Sequence, residues 1–245
     1  MRSMHAYANS KTVLCAAALI GLTLASLPTV ASAQQNTNLN TDGSLYGRLS
    51  AGAIIPRDVG VKPGSQGGLT VNSGSATIKS KAAAAVSGSL GYRFNNVFAV
   101  EGEFGYAKFK LDEITGSGTV TSGGTTYNIA SGTSTIDGDI ESIVGMANLI
   151  IHIPTSGVVE PYLGGGVGFV NWDISLSRIG TLTCSGSCSD SGTDLAAAGI
   201  VGIDFNLAKN LSAGLRYKYL WTDTGTGITD DVTAHIAQAS LKFTF

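Results

Sequence analysis

Charged side chains are scarce in this sequence. Asp, Glu, Lys and Arg make up 13% of its 245 residues, where about 25% is usual in a globular chain, so half the customary solubilising charge is missing. The chain is therefore either secreted and loop-rich or immersed in lipid. No dense basic patch of the kind that grips a phosphate backbone occurs, which excludes nucleic acid as a partner. Past residue 33 no segment holds a helical stripe, and no apolar run reaches the ~20 residues of a bilayer-spanning helix. Two of the three cysteines, Cys184 and Cys188, fall in one stretch without a neighbouring histidine, so they fall short of a zinc set.

The start of the chain stands apart from the rest. Arg2 and Lys11 give a positive beginning, residues 12–27 form an apolar run, and Pro28 leads to Ala31, Ser32 and Ala33. Basic, apolar, then small is the order of a secretory signal peptide, with cleavage expected between Ala33 and Gln34. The run is too short for a membrane anchor, and Cys15 lies inside it without the small residues that precede a lipoprotein cysteine. We read residues 1–33 as signal peptide, 34–43 as a loose periplasmic leader and 44–245 as one domain. Loss of Arg2 and Lys11 leaves thirteen basic against seventeen acidic side chains, a net charge of −4.

From there the chain alternates. Over residues 45–55, Leu45, Leu49, Ala51, Ala53 and Ile55 share one parity, while Tyr46, Arg48, Ser50 and Gly52 take the other. Successive strand side chains point to opposite faces, so the segment has an apolar and a polar face. Seven more segments behave alike: 84–94, 98–110, 142–153, 159–169, 195–205, 211–221 and 233–245. The fourth strand is the least tidy, because Val144, Met146 and Ile150 fall on its polar side.

The links between the eight strands alternate in length. Asn95 and Asn96, residues 154–158 and residues 208–210 are short links, whereas residues 56–83, 111–139, 171–194 and 222–232 are long and rich in Gly, Ser and Thr. This asymmetry predicts an all-β, eight-stranded antiparallel up-and-down transmembrane barrel, with tight periplasmic turns, external loops and both termini on the periplasmic side. Phe94, Phe98, Phe205, Phe243 and Phe245 gather near the short turns, and Tyr106, Phe169, Tyr219 and Trp221 near the long links, as two interfacial girdles would require. Leu241, Phe243 and Phe245 then face lipid. That ending resembles the C-terminal assembly signal of bacterial outer-membrane proteins, which implies recognition by the barrel-assembly machinery.

The residues 161–169, P-Y-L-G-G-G-V-G-F, and 214–219, G-L-R-Y-K-Y, resemble strands of the small immunogenic outer-membrane proteins of alphaproteobacteria, within the wider OmpA-like and porin-like eight-stranded barrels. The resemblance covers essentially the whole mature chain. It implies a cell outer-membrane location, lipids and lipopolysaccharide as surroundings, and loops that contact lipopolysaccharide or host molecules. It implies a structural, surface-exposed role more than any activity.

The inward parity carries Arg48, Arg93, Arg216, Lys218 and Lys242 with Glu101, Glu103, Glu160 and Asp204. Unpaired charge in so narrow an interior is costly, so near-balanced signs predict cross-barrel ion pairs that fill the lumen. The alternative is a small porin-like channel through that charged interior. Cys184 and Cys188 bracket Ser185-Gly186-Ser187, which in an oxidising envelope favours a small disulfide-closed turn over metal binding. Asp223-Thr224-Gly225 matches the aspartic-protease tripeptide but has no second copy to share a proton, and Asp230 and Asp231 lack EF-hand spacing. The glycines of residues 164–168 have no following lysine and lie within a strand, so they make room for bulky neighbours rather than bind a nucleotide. Eight-stranded barrels include lipid A deacylases and palmitoyltransferases, yet the deacylase histidine-serine pattern is absent. His235 is expected to face outward near the external rim and His152 the periplasmic end of the lumen. No enzymatic activity and no cofactor are expected. Arg57, Lys62, Lys79, Lys81, Lys108 and Lys110 near the external rim are candidates for lipopolysaccharide phosphates.

Overall fold

The structure, a computed structural model, describes residues 43–245 except 62, 67–68, 123–124, 180–181, 184–188 and 224–230. Among these residues there are twelve strands and no helix: β1 (Ser44–Pro56), β2 (Val59–Val61), β3 (Gly64–Gln66), β4 (Leu69–Ser80), β5 (Ala83–Arg93), β6 (Phe98–Ser122), β7 (Thr125–His152), β8 (Val159–Ile179), β9 (Leu182–Thr183), β10 (Ser189–Ala208), β11 (Leu211–Asp223) and β12 (Val232–Thr244).

Eight of them form a ring in the order β1, β5, β6, β7, β8, β10, β11, β12, each antiparallel to the next, and β12 pairs back onto β1. A ring has no edge, so every backbone donor and acceptor at membrane depth can be satisfied within the sheet. The stagger follows from the register. Stepping from Tyr46 through its partners Gly91, Glu101, Asn148, Gly166, Ala198, Leu220 and Ala234 returns to β1 at Pro56, ten residues further along. Eight strands with that stagger, at a spacing of ~4.8 Å and a rise of ~3.3 Å per residue, tilt by about 40° around a backbone radius of about 8 Å. Such an interior has room for side chains and little else.

Burial follows parity. Leu49, Leu90 and Phe104 are 61%, 72% and 66% exposed, whereas Arg48 and Glu103, one position away in their strands, are 2% and 4% exposed. A soluble fold inverts that relation, and hydrocarbon around the ring accounts for it. The short turns have local causes. Asn95 Oδ1 accepts from the backbone amides of Val97 and Phe98, both at 2.8 Å, an Asx turn that reverses the chain between β5 and β6. Thr155 Oγ1 donates to the Val159 carbonyl and closes the turn between β7 and β8.

The long links differ from the sequence expectation. Much of residues 111–139 continues as a β6–β7 ladder, from Lys110 opposite Asp139 out to Ser122 opposite Thr125. Likewise β8 and β10 stay paired out to Ser175 and Ser189. Within residues 56–83, β4 folds back along the outer part of β6, and β2 and β3 pair with β4. These stretches alternate Gly, Ser and Thr without an apolar parity, so no face betrays a strand in the sequence. Their ladders extend because the barrel strands beneath hold them in register, and threonine suits a pleated backbone.

Candidate functional site: the barrel lumen

All nine charged positions assigned to the inward parity lie inside the ring, and they bond across it. Arg48 on β1 grips Asp204 on β10 with both terminal nitrogens, at 2.7 and 2.9 Å, and donates to Ser240 Oγ at 3.1 Å. Lys242 on β12 reaches the same carboxylate at 2.7 Å. Arg216 on β11 donates Nη2 to both oxygens of Glu101 on β6, at 3.0 and 2.9 Å, and Lys218 meets Glu103 at 2.5 Å. Toward the short turns, Arg93 donates to Glu160 at 2.6 Å, with Lys242 3.4 Å from the other oxygen of that carboxylate. Each carboxylate thus faces at least one cation, which offsets the loss of hydration.

Two tyrosines complete the network. Tyr46 donates its hydroxyl to Glu101 at 2.9 Å, and the Tyr162 hydroxyl accepts from Arg216 Nε at 3.0 Å. The guanidinium carbons of Arg48 and Arg216 both sit over the Tyr162 ring, 5.3 and 5.4 Å from its centroid, within reach of its π-system. Sequence reasoning placed both tyrosines on the inward parity without assigning them to the network. Glycines on the same parity were the available signal: a Cβ on Gly91 would lie 2.2 Å from the Tyr46 ring, and one on Gly202 2.3 Å from Tyr162.

Above this polar layer, toward the long links, the lumen is apolar. Ile54, Ala85, Ala107, Met146, Val170, Ala196, Leu220, Ala234 and Ile236 are buried together. Val144, packed against them, and Met146 are two of the three residues that blurred the fourth strand in the sequence and belong to this layer; the third, Ile150, is buried with Tyr46, Ala99, Tyr162 and Ile200.

The other candidates are dispersed. His152 is buried at the short-turn end, with its Nδ1 3.6 Å from Glu160 Oε2. His235 stands on the outer face, where the Tyr217 hydroxyl meets its Nδ1 at 2.6 Å, while Ser240 is inside the lumen on Arg48. Asp231 accepts from the Trp221 indole at 3.2 Å. Among the described residues no group of three His, Cys, Asp or Glu side chains is placed to hold a metal. Cys184 and Cys188, Ala33 and Gln34, Lys62, Thr224, Gly225 and Asp230 lie outside the described residues.

Rim lysines are mostly paired. Lys79 faces Glu113 at 3.7 Å, Lys81 meets Asp112 at 2.8 Å, and Lys108 meets Glu141 at 2.9 Å. The hydrogen bond to Asp112 holds the Lys81 ammonium above its ordinary pKa, so it stays charged. Arg57 and Lys110 form no ion pair among the described residues, although Asp139 stands opposite Lys110 in the β6–β7 ladder.

Residues 17–245 match the family model described as outer membrane protein beta-barrel domain. An uncharacterized protein of Brucella abortus is 25% identical over 143 residues, 56% of this chain and 50% of that protein. The chain therefore spans about half the length of the curated relatives it matches. Among solved structures, Neisserial surface protein A is 18% identical with a TM-score of 0.45, covering 83% of this chain and all of that one. OprG of Pseudomonas aeruginosa is 16% identical with a TM-score of 0.45, covering 83% of this chain and 96% of that one.

Proposed function

The chain belongs to the outer membrane protein beta-barrel domain family and so resides in the outer membrane, and from that premise we propose that it is a closed, non-enzymatic barrel with a structural and surface-interaction role. One observation carries the reading: the lumen is blocked, by cross-barrel ion pairs at mid-depth and by a buried apolar layer toward the long links. Water-filled porin channels have a continuous polar path, and an apolar constriction resists wetting. The work then falls to the external hairpins, in which β4, β6, β7, β8 and β10 stay paired beyond the barrel. Arg57 and Lys110, which form no ion pair among the described residues, are the rim cations that lipopolysaccharide phosphates would meet. On the same reading residues 1–33 are removed on export, and residues 34–43 remain as a leader. Leu241, Phe243 and Phe245, exposed along β12 and its end, present the assembly signal to the barrel-assembly machinery.

Planar-bilayer recording tests the closed lumen. The wild-type chain should give no steady current. Steady single-channel currents that disappear in Arg48→Ala or Glu101→Ala would instead establish the porin-like reading.

A further inference from the structure

The charges inside the ring do not balance. Arg216 and Lys218 answer Glu101 and Glu103, and Arg48 answers Asp204. At the short-turn end, however, Arg93 and Lys242 share Glu160, and Lys242 otherwise leans on the carboxylate that Arg48 already holds. One cation is in excess there, and a buried net charge is costly without a counter-charge. Lys209, on the turn between β10 and β11, adds another positive charge at the mouth.

A polar cavity of about 130 Å³ lies at that end, lined by Arg93, His152, Glu160, Lys209, Ser212 and Lys242 among others. That is room for several waters or one tetrahedral anion. His152 forms part of its wall, 2% exposed, and neither of its ring nitrogens has a hydrogen-bond partner. Its Nδ1 stands 3.6 Å from Glu160 Oε2, too far for a hydrogen bond, and buried polar groups are normally satisfied, so an imidazole without a hydrogen bond beside a polar cavity points to an occupant. Arg93 commits Nε and Nη2 to the Asn95 and Asn96 carbonyls and to Glu160, which leaves Nη1 to give. Lys242 spends two protons on Asp204 and Glu160 and has a third. With Arg93, Lys209 and Lys242 on its wall against the single carboxylate of Glu160, the cavity suits a negative guest.

We propose that this periplasmic vestibule binds a small oxyanion, a phosphate or carboxylate group, held by Arg93, Lys242 and Lys209 with a ring N–H of His152 donating to it. The excess cation then has its counter-charge and the imidazole a partner. The inference stands apart from the closed-lumen reading, because the cavity lies at the short-turn end, away from the apolar layer.

The test uses the mature chain, residues 34–245, with ring-labelled histidines, refolded in uncharged detergent micelles at constant ionic strength. Titration with inorganic phosphate should move the His152 ring resonances along a saturating curve while those of His235 stay in place, with His152→Gln assigning the signal. Lys209→Glu, on an exposed turn, should raise the apparent Kd roughly tenfold, since it turns an attraction into a repulsion. A second arm places the protein in phosphatidylglycerol bilayers without free phosphate. A His152 shift there and none in the first arm assigns the anion to a lipid headgroup; a shift in the first arm assigns a soluble anion. An unmoved His152 in both arms, a linear drift common to both imidazoles, or a Kd indifferent to Lys209→Glu overturns the proposal.

Discussion

Asp204 has no solvent exposure and takes hydrogen bonds from two cations at once, Arg48 and Lys242. Removing it leaves both in a narrow interior with their hydration already lost, and a broken buried pair typically costs about 3–5 kcal/mol. Asp204→Ala should therefore lower the unfolding free energy by roughly that amount, read from urea denaturation in lipid vesicles. Lys81, with a 64% exposed side chain against Asp112, supplies the contrast. Water screens that pair and both side chains give up rotamer freedom to form it, so Lys81→Ala should leave the midpoint unchanged. Equal losses in the two variants would mean that the lumen is hydrated well enough to solvate its own charges.

At the level of the element, β4 depends on one residue. Gly74 has φ near +102°, a region that strains any residue with a Cβ, and a Cβ there would sit 1.9 Å from the Ser117 carbonyl oxygen. The register slips between Val71 and Ser73, so the chain bulges just before this glycine and then resumes its pairing with β6. Gly74→Ala should detach β4 from β6 without disturbing the barrel. Hydrogen exchange by mass spectrometry should show β4 amides exchanging faster by roughly tenfold or more, with β11 amides unchanged. Protection that is retained along β4 would show that the hairpin tolerates a different turn at this point. The barrel strands were visible in the sequence because lipid on one side and packed charge on the other impose opposite chemistry on alternate residues. The outer stretches of β6 and β7 were not, since water reaches them and Ser, Thr and Gly serve either face equally.

For the molecule as a whole, the closed ring governs behaviour in detergent. No strand end can peel away without breaking a ladder on each side, because β1 is bonded to both β5 and β12. The folded chain should resist SDS at room temperature and migrate differently on a gel before and after boiling. Identical mobility in the two samples, taken from washed outer membranes, would be incompatible with a closed barrel. Most of the lumen network was readable in advance as a set of charged positions. The apolar layer over it was not, since Ile54, Leu220 and Ile236 look in sequence like ordinary core residues of any strand.

Parity is a local property: the backbone sends each side chain opposite to its neighbour, so the linear order of residues was sufficient to assign faces, count barrel strands and pick out nine inward charges. Partnership across the lumen is not local. Arg48 and Asp204 are 156 positions apart and Arg216 and Glu101 115 apart, and they meet only because closure with a ten-residue stagger sets which heights face one another. The same geometry gathers nine scattered apolar residues into one layer and sets two cations on one carboxylate beside an imidazole without a hydrogen bond at the short-turn end, since distances across a barrel depend on how the sheet closes and not on spacing along the chain.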